Sequence, residues 1–372
     1  MNKIKFLHYL IIFSFFFYSC GEGEDTVVEP LPSGLEVLIS KEANGLVRLT
    51  LQAANTNYFM VNFGIPNSDW IRVNGNEVTY SYTDPGRYNI AVQAHSSESK
   101  FITAFSIITM SNSDLGFEFP QSGFESPLEY EGYQMVWNDE FEGNTLSEDW
   151  VFEIGDGCPA LCGWGNNELQ YYRRENTEVR DGYLIIKALQ ENFGGKNFTS
   201  SRIKTQGKKS FKYGRIDIRA ALPKGQGLWP ALWMLGDNIT EVGWPFCGEI
   251  DIMEMVGGSQ DGKDNTVHGT VHWASNGNWA NYGGSKRLDQ GILNDKFHVF
   301  SIVWDEGKIV WLLDNVAFHE IDTTPQDLNE FRESFFFLFN VAVGGNWPGS
   351  PDGTTEFPQQ MAVDYVRVFQ KN

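Results

Sequence analysis

Three carboxylates stand within six residues in Gly248-Glu249-Ile250-Asp251-Ile252-Met253-Glu254-Met255, and every other residue after the glycine is large and apolar. Apolar spacers of this kind describe a buried strand, whose side chains alternate between faces. Glu249 and Asp251 then share a face. Glu254, five positions after Glu249, points the other way unless one extra residue is inserted. A β-bulge supplies that residue, and bulges are common beside active sites. With it, all three acids enter one cleft. Two carboxylates about 5–5.5 Å apart are the machinery of retaining glycoside hydrolysis, one as nucleophile and one as general acid/base. A carboxylate between them shifts the local charge balance and helps to separate the two working pKa values. An acidic edge strand or a calcium loop would carry turn residues and small spacers here, not Ile and Met.

Glu249-Ile250-Asp251-Ile252-Met253-Glu254 resembles the catalytic signature of glycoside hydrolase family 16, in the bulged form of its laminarinase-type endo-β-1,3-glucanases. Further motifs follow in the family's order from about Tyr133 to Phe369. They are Trp137-Asn138-Asp139-Glu140-Phe141, Trp164-Gly165-Asn166-Asn167-Glu168, Gly227-Leu228-Trp229-Pro230-Ala231-Leu232-Trp233-Met234, His268-Gly269-Thr270-Val271-His272, Gly344-Gly345-Asn346-Trp347-Pro348-Gly349 and Val363-Asp364-Tyr365-Val366-Arg367-Val368. The resemblance implies Glu249 as nucleophile, Asp251 as its assistant and Glu254 as acid/base.

The resemblance also assigns the walls of the cleft. Trp229 and Trp233, four apart on one strand face, become sugar-stacking residues. Asn166 and Arg202 match positions that hydrogen-bond the glucan on its non-reducing side, although an arginine there serves equally as a structural ion pair. His272 falls near the acid/base or a product-side sugar, and Trp347 closes the far side. No catalytic cofactor is implied. Glu140, Gly182 and Asp364 match a structural calcium site, the first two through backbone oxygens.

Elements able to position such a cleft are strands. Short apolar or alternating runs recur at Tyr183–Leu189, Tyr213–Leu222, Ala231–Leu235, Thr266–Trp273, Phe297–Trp304, Ile309–Leu313 and Val316–Ile321, and helical periodicity is confined to Pro325–Phe331. Many short strands mean an all-β sandwich, and the resemblance specifies a β-jelly roll for residues 132–372. Ser111–Glu131, rich in Ser, Gly, Pro and acids, reads as a linker. Before it, residues 27–110 read as a small β-sandwich resembling an immunoglobulin-like domain of PKD type. Its clearest signal is a hairpin, Val78–Thr83 and Arg87–Val92 around Asp84-Pro85-Gly86. A spacer role is expected of it, with glycan binding through Trp70 as the alternative.

Residues 1–19 have the charged start and short apolar run of an export signal, too short for a membrane span. Phe17-Tyr18-Ser19-Cys20 resembles a lipobox, implying lipidation of Cys20. The acidic tether at 20–26 resembles an export signal for the outer face of the outer membrane. Cys158, Cys162 and Cys247 remain, and an exported chain permits a disulfide between any two of them. A formal net charge of -20 excludes nucleic acid as a partner and disfavours sulfated galactans. Eleven of the twelve Trp lie after residue 130, placing an aromatic-rich cleft in the C-terminal part. The expectation is a monomeric surface lipoprotein that hydrolyses laminarin-like β-1,3-glucans. The alternatives are mixed-linkage β-1,3-1,4-glucan or galactan hydrolysis, or glucan binding without catalysis.

Overall fold

The computed structural model describes residues 30–84, 86–111, 114–115, 119–260 and 262–372. The signal segment, Cys20 and the tether lie outside them. The chain divides into two compact units, one up to residue 118 and one from Phe119 to Asn372. Among the described residues no helix is long and apolar enough to cross a membrane.

The C-terminal unit is the expected β-jelly roll, two antiparallel sheets packed face to face. One sheet has seven strands, in the order Asn278–Arg287, Thr266–Ser275, Glu249–Glu254, Leu228–Gly236, Phe335–Val343, Arg202–Lys204 and Val151–Glu153. The second is built around Gln359–Lys371 and Gly214–Ala221. Between them lies one large core that includes Ile216, Ile218, Ile250, Ile252, Met253, Phe337 and Phe339. The near-continuous apolar run Phe335–Val343 is buried at all nine positions. Phe335, Phe337, Phe339, Val341 and Val343 join the core, whereas Phe336, Leu338, Asn340 and Ala342 floor a cleft on the opposite face. A central strand covered on both faces needs no polar alternation. The short helix expected at Pro325–Phe331 is a 3-10 helix at Gln326–Arg332.

The stretch read as a linker is only partly one. Residues 119–131 belong to the C-terminal unit and run over the second sheet. Phe119 is buried beside Phe297, Arg219 Nε donates to the Phe124 carbonyl at 2.5 Å, and Ser126 N donates to the Tyr365 hydroxyl at 2.7 Å. Tyr130 donates to the fully buried Asp217 carboxylate at 2.7 Å. Gly123 lies so close to the Phe297 backbone that an added Cβ would sit 2.1 Å from its carbonyl oxygen. Composition signalled a loop correctly, but it could not reveal buried charges awaiting partners. A catalytic unit begun at residue 132 is therefore expected to be about 4 kcal/mol less stable than one begun at 119, and to melt roughly 10 °C lower. Equal melting temperatures would refute this.

The N-terminal unit packs a three-stranded sheet (Ser33–Lys41, Leu46–Ala54, Glu77–Ser81) with a four-stranded one (Ile71–Val73, Tyr58–Asn62, Gly86–His95, Phe101–Met110). Val47, Leu49, Leu51, Val61, Ile90 and Val92 form its core. The expected hairpin is absent. Glu77–Ser81 pairs with Leu46–Ala54, whereas Gly86–His95 pairs with Tyr58–Asn62 and Phe101–Met110. The turn thus carries the chain from one sheet to the other. Tyr82, whose hydroxyl donates to the Phe63 carbonyl at 2.8 Å, is buried at that crossing. Local turn chemistry cannot distinguish a hairpin from such a crossover, because both need the same reversal.

Candidate active site

The strand Glu249–Glu254 is bulged. Asp251 pairs with Thr270 and Glu254 with His268, so three steps on the acid-bearing strand match two on its neighbour. Against the other neighbour, Met253 pairs with Leu232 and Asp251 with Trp233, which leaves Ile252 as the extra residue. Parity is thereby restored. Glu249, Asp251 and Glu254 all line one cleft of about 1290 Å³, while Ile250, Ile252 and Met253 are buried in the core. The bulge is held from beneath by Trp311 of the second sheet, fully buried, whose indole donates to the Asp251 carbonyl at 2.8 Å. Gly269 makes room for that indole, since a Cβ there would stand 2.3 Å from the ring.

Each glutamate accepts from an indole, and Asp251 faces an imidazole. Trp244 Nε1 donates to Glu249 Oε2 at 2.8 Å and Trp229 Nε1 to Glu254 Oε1 at 2.9 Å. His272 Nε2 lies 3.1 Å from Asp251 Oδ2 and 3.8 Å from Glu249 Oε1. Burial pushes Glu249, Asp251 and Glu254 up, each to about 8, and like charge from Asp251 adds to both glutamates. The indole N–H groups of Trp244 and Trp229 pull Glu249 and Glu254 back. Three carboxyls so close cannot all ionise near neutrality, and they titrate as a group. Both glutamates accept one indole N–H, and Glu249 also has His272 Nε2 at 3.8 Å. One ionised and one protonated glutamate across a cleft is the state that double-displacement glycoside hydrolysis requires.

A family model described as glycosyl hydrolases family 16 matches residues 165–367, more than half of the chain. The chain belongs to glycosyl hydrolase family 16. A second model, for beta-glucan synthesis-associated proteins SKN1/KRE6/Sbg1, matches residues 78–248. The family 16 region is 42% identical over 255 residues to the beta-glucanase of Rhodothermus marinus, covering 64% of this chain and 85% of that protein. It is 40% identical over 240 residues to the clotting factor G alpha subunit of Tachypleus tridentatus, covering 64% of this chain and 34% of that much longer protein. Among solved structures, the catalytic domain of an endo-1,3-beta-glucanase (laminarinase) from Thermotoga petrophila superposes with a TM-score of 0.60 at 46% identity, covering 65% of this chain and all of the other.

Most of the residues expected in this family 16 cleft line it: Asn166, Arg202, Trp229, Trp233, His272 and Trp347. Arg202 makes the ion pair that was one of its two expected roles, while also lining the cleft. Its Nε pairs with Glu153 at 2.5 Å, and its guanidinium lies 4.6 Å from the Trp164 ring centroid and 4.8 Å from that of Trp233. Trp233 Nε1 donates to Asn340 at 2.8 Å. Trp347, 44% exposed, stands edge-on to Trp229 and His268. Cys158 and Cys162 form a disulfide in the loop beside the cleft, leaving Cys247 free and buried.

Glu140 and Asp364 do not meet in the cleft but on the second sheet. Both oxygens of Glu140 accept from Arg367, and one oxygen of Asp364 accepts from Arg219 at 2.6 Å. Burial nevertheless raises Asp364, and Glu140 adds to the rise. Arg219, and Arg367 at longer range, pull Asp364 back down.

Sequence reading missed Trp244, Trp279 and Glu153. Trp244 lies only five residues before Glu249, and its indole returns onto Glu249 because Trp244-Pro245-Phe246-Cys247 forms a turn closed by a Cys247 N to Gly243 O bond. Only the proximity of an aromatic residue to the acids hinted at this.

The charge crowding has a stability consequence. The Asp251 carboxyl stands well above its unfolded value of 3.8, so the folded state binds the extra proton between the two values and stability falls as pH rises through that window. Asp251→Asn removes the ionisation while keeping the shape. Its unfolding free energy relative to the parent, read from denaturant melts, is expected to improve by roughly 2–4 kcal/mol on going from pH 4 to pH 8. A difference independent of pH would contradict the account.

Proposed function

We propose that the chain is a retaining endo-β-1,3-glucanase acting on laminarin-like glucans, with Glu249 as nucleophile, Glu254 as acid/base and Asp251 as the group that sets their charge. The observation that carries this reading is the bulge, which aims both glutamates into one tryptophan-lined cleft while burying the apolar residues between them. In the first step a Glu249 oxygen bonds to the anomeric carbon, the glycosidic C–O bond breaks, and Glu254 gives its proton to the leaving oxygen. In the second, Glu254 takes a proton from water as that water attacks the same carbon and releases Glu249. Flat sugar faces stack on the half-buried rings of Trp229 and Trp233 and on the exposed ring of Trp347, and Arg202 and Asn166 bind hydroxyls on the non-reducing side. Reducing ends released from laminarin, mixed-linkage glucan, agarose and carrageenan test the substrate. Laminarin is expected to be cut fastest. A preference for a galactan would overturn the substrate, and tight laminarin binding without cleavage would overturn catalysis.

Lipidation of Cys20 and display on the outer membrane rest on the lipobox-like Phe17-Tyr18-Ser19-Cys20 and the acidic residues after it. Loss of fatty-acid labelling in Cys20→Ala is the expected result. The N-terminal unit, whose two sheets suit an immunoglobulin-like domain of PKD type, acts as a spacer for a monomeric enzyme. Glu140 and Gly182, through their backbone oxygens, and Asp364 through its remaining oxygen would hold a structural calcium pinning the first and last strands of the jelly roll. Calcium should then raise the melting temperature and chelation lower it, with no effect on the pH profile. Identical melting with and without chelator would remove calcium from the account.

A further inference from the structure

Trp279 is 55% exposed at the rim of the cleft, yet its indole is committed to one bond. Its Nε1 donates to His272 Nδ1 at 3.0 Å, and the two rings lie stacked within 13° of parallel. An indole N–H can only donate, so Nδ1 of His272 must present a bare lone pair. The neutral imidazole then carries its single proton on Nε2, the nitrogen that faces Asp251 and Glu249. A second proton on Nδ1 would set two N–H groups head to head. The other groups facing the ring are the carboxyls of Glu249 and Asp251 from the neighbouring strand and the neutral Trp244 ring from the loop, with Glu254 farther along the same strand. Asp251 Oδ2 is buried without a hydrogen-bond partner, and His272 Nε2, 3.1 Å away, is the ring nitrogen that faces it.

We propose that Trp279 is a positioning residue of the hydrolytic reaction, fixing His272 as the neutral Nε2–H tautomer so that no imidazolium enters the carboxylate cluster. The role rests on the reading of Glu249 and Glu254 given above. An imidazolium there would draw the proton from Glu254 and empty the acid form at working pH. With Trp279 in place, the protonation state of the cluster is set by the carboxyls alone. Trp279→Phe keeps an aromatic ring at this position and removes the N–H donor.

The decisive measurement is the pair of ring-nitrogen chemical shifts of His272 in the full chain, assigned by comparison with His272→Asn and followed from pH 5 to 8. Wild type should show one neutral Nε2–H tautomer throughout. Trp279→Phe should take up a second proton within that range, and the basic limb of its kcat/KM profile on laminarin should move about one pH unit lower. A wild-type His272 that carries its proton on Nδ1, or that protonates across this range as in the Phe variant, would overturn the proposal. An unmoved basic limb in a folded Trp279→Phe would do the same. The nitrogen shifts need no substrate, so they decide the tautomer even if the chain cuts no glucan, which would sink the hydrolase reading instead.

Discussion

Replacing Glu249 by Ser is expected to lower kcat/KM on laminarin by at least about 10⁴-fold, a loss of more than about 5 kcal/mol of transition-state stabilisation. The covalent route disappears with the nucleophile, and the cleft has no spare group to substitute. Asp251 is a carboxyl too, but it is 3% exposed and faces His272. Binding should survive, because the rings of Trp229, Trp233 and Trp347 and the Arg202 guanidinium belong to other strands and loops. The expected signature is thus a collapsed kcat with a laminari-oligosaccharide Kd within a few-fold of wild type. Residual activity above about 1% would assign the nucleophile elsewhere. Loss of binding together with activity would mean that the serine had disturbed the bulge.

Glu254→Gln is expected to be slower by about 10³-fold on laminarin and to recover most of that loss on an aryl glycoside whose leaving group needs no proton. The reason lies in the two-step chemistry. Protonation assists departure of a sugar alcohol but hardly matters for a good phenolate. With such a substrate the first step proceeds, and attack by unassisted water on the glycosyl-enzyme becomes limiting. A burst of phenolate release followed by slow turnover should therefore appear in the variant. Trp229 can still donate to the glutamine oxygen, so the side chain is expected to stay in place. Equal losses on glucan and aryl glycoside would make Glu254 a structural residue. In wild type, burial lifts Glu254 far above an ordinary glutamate, so the acid form persists at neutral pH and activity should fall as pH rises past it.

The acids, their parity problem and its solution by one inserted residue were all legible in Glu249–Glu254, because strand alternation is a strict rule and a buried carboxylate has few excuses. The all-β class was equally legible, from runs such as Phe297–Trp304 and the Asp314-Asn315 turn, where both residues adopt positive φ. What stayed hidden was long-range partnership. Nothing local says that Trp311, sixty residues from Asp251, would carry the bulge, or that Gly269 is small for its sake. Tyr130 reads as a loop residue until Asp217 is seen beneath it. Val78–Ser81 and Arg87–Val92 look like hairpin partners until each is found in a different sheet. Arg202 reads equally as ion pair or ligand in the sequence, and only the fold brings Glu153 and the rings of Trp164 and Trp233 to it.

The central claim is that a bulged strand presents Glu249 and Glu254 as a double-displacement pair, and its most direct test is the anomeric configuration of the first product. Proton NMR during the opening minutes of laminarin hydrolysis, before mutarotation, should show the β-anomer appearing first and the α-anomer growing in later. An α-anomer at the outset would mean inversion by a single displacement, and Glu249 would then activate water rather than bond to the sugar.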